Sequence, residues 1–323
     1  MVPFSVTVLG AGSATPTLER YPASQVVNFN EQIFLVDCGE GTQINLRKYH
    51  IRFQRINHIF ISHLHGDHFY GLPGLISTMD LLGRKNPLHI YCPGHLEEII
   101  DIMFNRSQVV LDFPLQFHPL GFFGSDKVGS LPTEQAGASG GKETLYENDR
   151  IFIESFPLKH RIECWGFIFS EKPPLHNIRK EVIEQYSLSF KDIATIKKGS
   201  DLQTADGTTV PNRELTLPAH SPRRYIYCTD TVYDESLIPF LRKSDLLYHD
   251  STFANDKSSR ARETFHSTAE EAGYIAKHAE VRKLLLGHFS SRYNDLSILL
   301  QEARQVFPET DIAEEGKTYP VGF

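Results

Sequence analysis

The chain has 323 residues, of which 40% are hydrophobic and 23% are charged, as in an ordinary soluble globular enzyme. Its formal net charge of −7 argues against nucleic-acid binding over the whole surface, but it leaves room for a local basic patch. No apolar run approaches the roughly 18 residues that cross a bilayer. The first residues show no basic leader, so we expect a cytoplasmic protein without a membrane partner.

Short apolar strands alternate with amphipathic helices along most of the chain. In the first third, the pattern predicts strands at "FSVTVLG", "SQVVNFN", "QIFLVDCGEGTQ", "RINHIFISH" and "LHIYCPG". Helical spacing of apolar residues appears in "FYGLPGLISTMDLLG" and "HLEEIIDIMFN". The last third repeats the alternation, with strands at "RYIYCTDT", "DLLYHDSTF" and "VRKLLLGHF" and helices at "TAEEAGYIAKHAE" and "DLSILLQEARQVF". The sequence therefore predicts an α/β fold.

Two stretches interrupt this alternation. Residues 121–142, "GFFGSDKVGSLPTEQAGASGGK", are rich in Gly and Ser and are predicted to form a mobile surface loop. Residues 171–222 are polar, basic in places and poor in strand character. We interpret them as a protruding insertion in a single catalytic domain of residues 1–323. The four cysteines are scattered and form no C-x-x-C pair, which favours reduced thiols.

The stretch "ISHLHGDHFYGLPG" places three histidines and an aspartate within six residues. A strand that ends in a loop presents alternate side chains to one side, so His63 and His65 would share one metal ion. Asp67 and His68, turned by Gly66, would reach a second ion. Imidazole and carboxylate ligands together suit zinc, and manganese or iron are alternative occupants.

Further ligand candidates end other apolar strands. His160 ends "RIFIESFPLKH", Asp230 ends "YIYCTD" and His288 ends "LLLGH". The carboxyl end of a strand is where α/β sheets place their active sites. Eight other histidines are interpreted as structural or surface residues: His50, His58, His89, His95, His118, His176, His220 and His278.

Together with the metal cluster, several motifs resemble the ribonuclease Z family of the metallo-β-lactamase superfamily, whose members trim precursor tRNA at its 3′ end. The likeness covers nearly the whole chain. It includes "LGAGSATPT", "FLVDCGEGTQ", "NHIFISHLHGDHFYGLPGL", "CTDT", "LYHDSTF", "FHSTAEEAG" and "LLLGHFSSRY". The resemblance implies a metallo-β-lactamase αββα sandwich, in which two mixed sheets carry helices outside, with an inserted arm. It also implies a homodimer.

The resemblance also implies how the ligands divide between two Zn²⁺ ions per chain. One group of three side chains would hold each ion, and one carboxylate would bridge them: His63, His65 and His160; Asp67, His68 and His288; and Asp230. Two metals roughly 3.5–4 Å apart can share a hydroxide and stabilise the attacking and leaving oxygens of a phosphodiester.

Three side chains are candidates for proton transfer. Asp67 can accept a proton from the attacking water as well as bind metal. His266, in "ETFHSTAEEAG", is the best candidate for the donor to the leaving oxygen, with Asp250 as the partner that orients it. Two alternatives remain open. The motif "HSTAEE" alone would suit the start of a helix, and His249 and Asp250 would suit groups that hold ligand rings.

The insertion matches in position a flexible arm that grips tRNA in the resembled family. Its basic residues suit phosphate contacts: Lys172, Arg179, Lys180, Lys191, Lys197 and Lys198. A solvated polar loop is the alternative for any one of them.

These features favour a metal-dependent endonuclease that removes the 3′ trailer of precursor tRNA and leaves a 3′-hydroxyl on the tRNA. One alternative is a hydrolase of the same fold that acts on a small phosphodiester or a sulfate ester. Another is a binding or scaffolding protein without activity. The complete ligand set argues against inactivity, and the insertion argues against a small substrate.

Overall fold

The computed structural model describes residues 2–121 and 141–322, which form two seven-stranded sheets and two small two-stranded sheets. The loop predicted at 121–142 lies almost entirely outside the described residues. The strands are, in chain order, β1 (Phe4–Gly10), β2 (Ser24–Phe29), β3 (Gln32–Val36), β4 (Ile56–Phe60), β5 (Leu88–Cys92), β6 (Leu115–Pro119), β7 (Glu143–Glu147), β8 (Ile151–Leu158), β9 (Cys164–Glu171), β10 (Asn177–Ile178), β11 (Leu202–Gln203), β12 (Thr209–Val210), β13 (Thr216–Leu217), β14 (Arg224–Cys228), β15 (Leu246–Asp250), β16 (Leu284–Gly287), β17 (Thr310–Ile312) and β18 (Thr318–Pro320).

Helices connect most of these strands. The α-helices are α1 (Thr42–Lys48), α2 (Gly66–Phe69), α3 (Leu72–Leu81), α4 (Leu96–Arg106), α5 (Lys180–Gln185), α6 (Phe190–Lys197), α7 (Asn212–Leu215), α8 (Ile238–Leu241), α9 (Ser258–Thr264), α10 (Ala269–His278) and α11 (Ser297–Val306). Short 3₁₀ helices cover Phe53–Arg55, Glu235–Leu237 and Asn255–Lys257. Across the described ranges, no helix has the length and apolar character needed to span a bilayer.

The strand order explains where loops gather. The first large sheet has the order β18-β1-β2-β3-β4-β5-β6, and the second has the order β17-β16-β15-β14-β9-β8-β7. Strands β3 to β6 run parallel, as do strands β14 to β17. Parallel strands end at the same edge of a sheet, so the segments that follow β14, β15 and β16 lie together. The segment after β4 of the first sheet meets them, because His63 lies against Asp230.

Apolar residues cover both faces of the first sheet. One face packs aliphatic residues such as Ile59 and Ile90 against helix residues such as Ile76 in a continuous core. On the other face, Phe34 and Phe60 lie against Phe169 of the second sheet, with ring centroids 5.8 and 5.6 Å away. Full burial of one such side chain contributes about 1.5–3 kcal/mol, so this inter-sheet layer is a main source of stability.

The chain divides into two compact units. The first comprises Met1–Tyr146, Ile153–Phe169 and Arg224–Phe323, and the second comprises Glu147–Phe152 and Ser170–Arg223. The two large sheets belong mainly to the first unit and carry its helices, which confirms the predicted α/β fold with two mixed sheets.

The second unit is more ordered than its polar composition predicts. It contains α5, α6 and α7 and two pairs of short strands. Its small core consists of Val182, Ile196, Leu202, Val210 and Leu215. These apolar residues are scattered among mostly polar ones, which hides the core from a search for apolar runs.

Candidate metal centre and active site

The first residue of the metal-ligand loop, His63, lies three residues after β4 ends. His63 and His65 alternate along the extended segment that follows the strand, so they reach the same side. Helix α2 then starts at Gly66 and carries the aspartate and the third histidine of the motif. A Cβ at Gly66 would lie 2.3 Å from the ring of Tyr70, so a larger residue at this position would displace that exposed ring.

Three of the predicted ligands converge with one carboxylate. His65 Nδ1 lies 3.0 Å from His63 Nε2 and 3.1 Å from His160 Nε2. The Oδ2 atom of Asp230 lies 3.5 Å from His63 Nε2 and 3.7 Å from His160 Nε2. These four side chains form one candidate metal-binding group with the donor set of a zinc site.

Asp67, His68 and His288 form a second candidate group. Asp67 Oδ2 lies 3.4 Å from the Nε2 atom of each of these two histidines. The second oxygen of Asp230, Oδ1, lies 3.3 Å from His68 Nε2 and 3.1 Å from His288 Nε2. Asp230 thus presents one oxygen to each group, which is the arrangement of a bridging carboxylate.

Hydrogen bonds on the far side of the rings set their tautomers. His160 Nδ1 donates to the carbonyl of Phe265 at 3.0 Å. His288 Nδ1 donates at 3.0 Å to the hydroxyl of Thr252, which donates at 2.7 Å to Asp250. With the proton on Nδ1, the Nε2 lone pair of each ring faces the centre, as a metal ligand requires.

Asp37 holds His68 in the same way, although sequence analysis missed it as a site residue. Its Oδ2 atom accepts from His68 Nδ1 at 2.7 Å, from the Tyr227 hydroxyl at 2.7 Å and from the Ser62 hydroxyl at 2.9 Å. Its Oδ1 atom accepts from the Ser62 amide at 2.7 Å. The signal in the sequence was its place directly after the apolar run "IFLV", like that of Asp230 after "YIYCT".

The protonation of the ligands fits a bound cation. Burial lowers the pKa of His63 well below its ordinary value and lowers the pKa of His160 to about 4, so both rings are neutral at pH 7. Within the described part of the chain, the buried Nε2 atoms of His68 and His288 make no hydrogen bond. Buried polar atoms normally have a partner, so these nitrogens are suited to a metal ion.

The charges around His68 also favour a bound cation. Burial disfavours its charged form, but the carboxylates of Asp230, Asp67 and Asp37 outweigh burial and raise the pKa of His68 well above its ordinary value. In the protein alone, a proton on His68 therefore offsets part of the buried negative charge. Divalent cations would do so instead, so the residues fit divalent metal.

His266 forms a buried pair with Asp250. His266 Nδ1 donates to Asp250 Oδ2 at 2.8 Å, and the amides of Thr231 and Thr252 donate to the same carboxylate at 3.1 and 2.9 Å. Burial lowers the pKa of His266, but the charge and hydrogen bond of Asp250 outweigh it and raise that pKa to about 9. His266 is therefore an imidazolium at neutral pH and can donate a proton.

The contacts of His266, Asp250 and His249 can be compared with the alternative roles that the sequence allows them, helix capping and support of ligand rings. Thr268 caps α10 in a reciprocal pair with Glu271, so the start of that helix does not need His266. The ring of His266 lies 5.2 Å from that of His288 between centroids, beside the candidate centre. Asp250 both orients His266 and, through a threonine hydroxyl, supports His288. His249 is buried and donates to the Asp250 carbonyl at 2.8 Å.

The candidate centre opens into a cavity of about 610 Å³. Asp67 lines it, and the Ala14 amide donates to Asp67 Oδ2 at 2.7 Å. Burial raises the pKa of Asp67, but the charge of His68 and the closeness of the His68 and His288 rings, whose Nε2 atoms lie 3.4 Å from Asp67 Oδ2, hold that pKa well below its usual range. Asp67 is therefore ionised and can bind a cation.

The six basic residues predicted in the insertion all belong to the second unit. Lys180, Lys191 and Lys198 are exposed, whereas the other three are half-buried: Lys172, Arg179 and Lys197. Lys172 Nζ lies 2.5 Å from a carboxylate oxygen of Glu147, so its charge is partly neutralised.

The eight histidines interpreted as structural belong to no candidate metal-binding group of the described residues. His58, for example, stacks on His89 with ring centroids 4.9 Å apart. Burial lowers the pKa of His58 to about 4, as expected for a packed imidazole.

Comparison with known proteins shows what the chain resembles. The family model of the Anti-Pycsar protein Apyc1 matches residues 4–103. Among solved structures, the short form of human tRNase Z matches with a TM-score of 0.69 and 26% identity, covering 99% of this chain and 100% of that one. The metallo-β-lactamase fold protein YhfI from Bacillus subtilis supports the fold alone, with a TM-score of 0.65 and 21% identity over 98% of this chain and 99% of its own.

A curated relative gives the closer sequence match. Ribonuclease Z of Phocaeicola vulgatus is 45% identical to this chain over 315 residues, which are 98% of this chain and 96% of the relative. The matched region includes all seven candidate ligands, which lie between His63 and His288. The chain therefore belongs to the ribonuclease Z family of metal-dependent nucleases, which act on phosphodiester bonds.

Proposed function

We propose that the chain is a zinc-dependent endoribonuclease that cleaves precursor tRNA on its 3′ side, removes the 3′ trailer and leaves a 3′-hydroxyl on the tRNA. The observation that carries the proposal is the placement of Asp230, whose two carboxylate oxygens face two different ligand groups. The names of its relatives, ribonuclease Z and tRNase Z, support the choice of substrate.

Seven residues would hold two Zn²⁺ ions, with Asp230 shared: His63, His65 and His160 on one side, and Asp67, His68 and His288 on the other. Manganese or iron would accept the same nitrogen and oxygen donors. When bound, such ions activate water as a nucleophile and offset the negative charge that develops on the phosphate oxygens.

The carboxylate of Asp67 takes the proton that the attacking water gives up. It is placed for this role because it is ionised and lines the cavity that the candidate centre opens into. The amide of Ala14 fixes one of its oxygens at 2.7 Å, so the carboxylate is oriented before substrate binds.

On the opposite side of the phosphate, His266 donates a proton to the leaving oxygen. That oxygen is the 3′-oxygen of the last tRNA nucleotide, a poor leaving group that needs protonation. Asp250 keeps His266 protonated and aims its Nε2 atom by holding Nδ1 at 2.8 Å.

The second unit is proposed to be the tRNA-binding arm. Exposed Lys180, Lys191 and Lys198 are placed for phosphate contacts, and half-buried Arg179 and Lys197 add positive charge. The protein has a net charge of −7, but these basic residues would give it a local surface that binds a polyanion.

Two further properties belong to the proposal. Family resemblance favours a homodimer, which sedimentation equilibrium would test through a mass close to twice 36.7 kDa. A precursor tRNA substrate also favours the cytoplasm, where cell fractionation would find the protein together with precursor tRNA.

The test is an assay of purified protein, with its metal content measured, on precursor tRNA and on bis(p-nitrophenyl) phosphate. We expect about two metal ions per chain, as a bridging carboxylate requires. Precursor tRNA should be cut once, giving tRNA with a 3′-hydroxyl. Preferential cleavage of the small diester, without action on precursor tRNA, would favour the small-substrate hydrolase. An active preparation without metal would contradict the proposal altogether.

A further inference from the structure

The cavity beside the metal centre has an uneven distribution of charge. The described lining residues that come from loops of the first sheet include Glu40 and Asp67 but no lysine or arginine. The lining residues from loops of the second sheet include Arg161 and Arg260. A phosphate backbone in this cavity therefore meets guanidinium groups on one side only.

The two arginines converge on the segment that leads to His266. Arg161 follows the ligand His160, and its Nη2 atom donates to the backbone carbonyl of Glu263 at 3.2 Å. Arg260 lies one turn earlier in α9, and its Nη1 atom donates to the carboxylate of Glu263 at 3.1 Å. Both guanidinium groups thus donate to Glu263, which lies three residues before His266.

Neither contact uses up the binding capacity of the guanidinium group. The side chains of Arg260 and Glu263 are 52% and 64% exposed, so their ion pair is weak and a phosphate can replace the carboxylate. Among the described residues, Arg161 gives one hydrogen bond to a neutral carbonyl, which leaves four of the five guanidinium N–H groups for a phosphate.

The proton donor fixes which end of the substrate lies here. His266 protonates the 3′-oxygen of the last tRNA nucleotide, so that ribose lies against His266. From this ribose the chain leads in the 5′ direction to the next phosphate of the tRNA, whereas the trailer begins beyond the scissile phosphate. Arg161 and Arg260 stand on the His266 side.

We propose that Arg161 and Arg260 bind the backbone phosphate on the 5′ side of the last tRNA nucleotide, and so hold the tRNA rather than the trailer. This inference rests on the proposed function, because it uses the leaving oxygen of that reaction. It assigns a direction to the RNA in the cavity: the tRNA end contacts the arginines, and the trailer leaves along the side of Glu40 and Tyr70.

Product inhibition tests this direction. Mature tRNA and a 5′-phosphorylated trailer oligonucleotide are each used to inhibit cleavage of precursor tRNA by the unaltered protein and by the Arg161→Ala/Arg260→Ala variant. The inhibition constant of the tRNA should rise about 10–100-fold, the range for loss of charged hydrogen bonds, while that of the trailer stays the same. The matched control is Arg262→Ala, an exposed arginine of the same helix outside the cavity lining, which should change neither constant.

Three results would overturn the proposal. If inhibition by tRNA and inhibition by the trailer weaken equally, the proposed direction of the RNA is wrong. If neither inhibition constant changes, the arginines do not bind the phosphate. The pH profile of precursor tRNA cleavage gives the third, because loss of the alkaline fall expected from His266 would show that the arginines only support the His266 segment. If the unaltered protein does not cleave precursor tRNA, the proposed function itself fails, and this proposal fails with it.

Discussion

The metal centre and the second unit differ in how firmly their functional side chains are held. In the centre, the ligand side chains are held by partners inside the protein, as Asp37 holds His68 and Thr252 holds His288. In the second unit, the exposed lysines Lys180, Lys191 and Lys198 extend from a unit whose core has five buried residues.

The difference follows from what each region must do. Catalytic groups must be in position before the substrate arrives, because reorganisation during the reaction raises the barrier. Phosphate contacts tolerate movement, because attraction between charges depends weakly on geometry and strongly on salt. We therefore expect substitutions in the centre to change metal binding and turnover, and changes in the second unit to alter RNA binding.

The largest expected effect is that of Asp230→Ala. Removal of the shared carboxylate should lower the metal content below two ions per chain. It should also reduce cleavage of precursor tRNA by at least about 10³-fold, because metal ions supply several kcal/mol of charge stabilisation. Metal analysis and initial rates measure both effects. Asp256→Ala, at an exposed aspartate, is the control, and full activity of Asp230→Ala would rule out a shared carboxylate.

His266→Ala should separate proton transfer from metal binding. We expect the metal content to stay the same while kcat for precursor tRNA falls about 10²–10⁴-fold, the usual range for loss of a general acid. The loss should be smaller for bis(p-nitrophenyl) phosphate, whose leaving group needs little protonation. His278→Ala, at an exposed helix residue, is the control.

The pH profile sharpens this second prediction. Because the pKa of His266 is raised, the imidazolium persists through neutral pH, and the rate should fall on the alkaline side as that proton is lost. Bound cations would move this fall to lower pH by repulsion. The fall should be absent in His266→Ala, and an unchanged profile or equal losses on both substrates would reassign His266 to positioning.

Asp37→Asn should have the smallest of the three effects. The amide keeps the shape of the side chain but loses the charge that orients His68 and makes it more basic. Metal affinity should fall about 10–100-fold, the usual range for such a partner. Competition with a chelator measures this affinity. Tyr227→Phe removes only one hydrogen bond to the same carboxylate and should have less effect; the reverse order would contradict this role for Asp37.

The sequence predicts the parts of the site that depend on local spacing. His63 and His65 alternate after a strand, and His160 and Asp230 each follow the carboxyl end of an apolar strand, where α/β sheets place active sites, so their convergence could be expected. Asp37 could not be distinguished by spacing, because one aspartate at the end of a strand also suits a turn. The meeting of Arg161 with Arg260 depends on two loops distant in sequence, which no local pattern predicts.

The main segment of the second unit, residues 172–222, begins and ends at neighbouring residues of the structure. The carboxylate of Glu171 accepts from Arg223 Nε at 2.8 Å and from Nη2 at 2.9 Å, and the Glu171 amide donates to the Arg223 carbonyl at 2.9 Å. The ends of the intervening segment are thus adjacent. A short Gly/Ser linker can therefore replace residues 172–222 while Glu171 and Arg223 remain. An intact chain with Lys180, Lys191 and Lys198 changed to alanine is the matched control.

The most direct measurement is kcat/KM for precursor tRNA and for bis(p-nitrophenyl) phosphate with this linker variant, over a series of salt concentrations. We predict that the metal content and hydrolysis of the small diester persist. Cleavage of precursor tRNA should fall steeply and depend less on salt, because each lost lysine or arginine contact removes one phosphate neutralisation. The triple alanine variant should show the same change to a smaller degree. Loss of both activities together would make the second unit part of the catalytic structure, and unchanged tRNA cleavage would show that it does not bind the substrate.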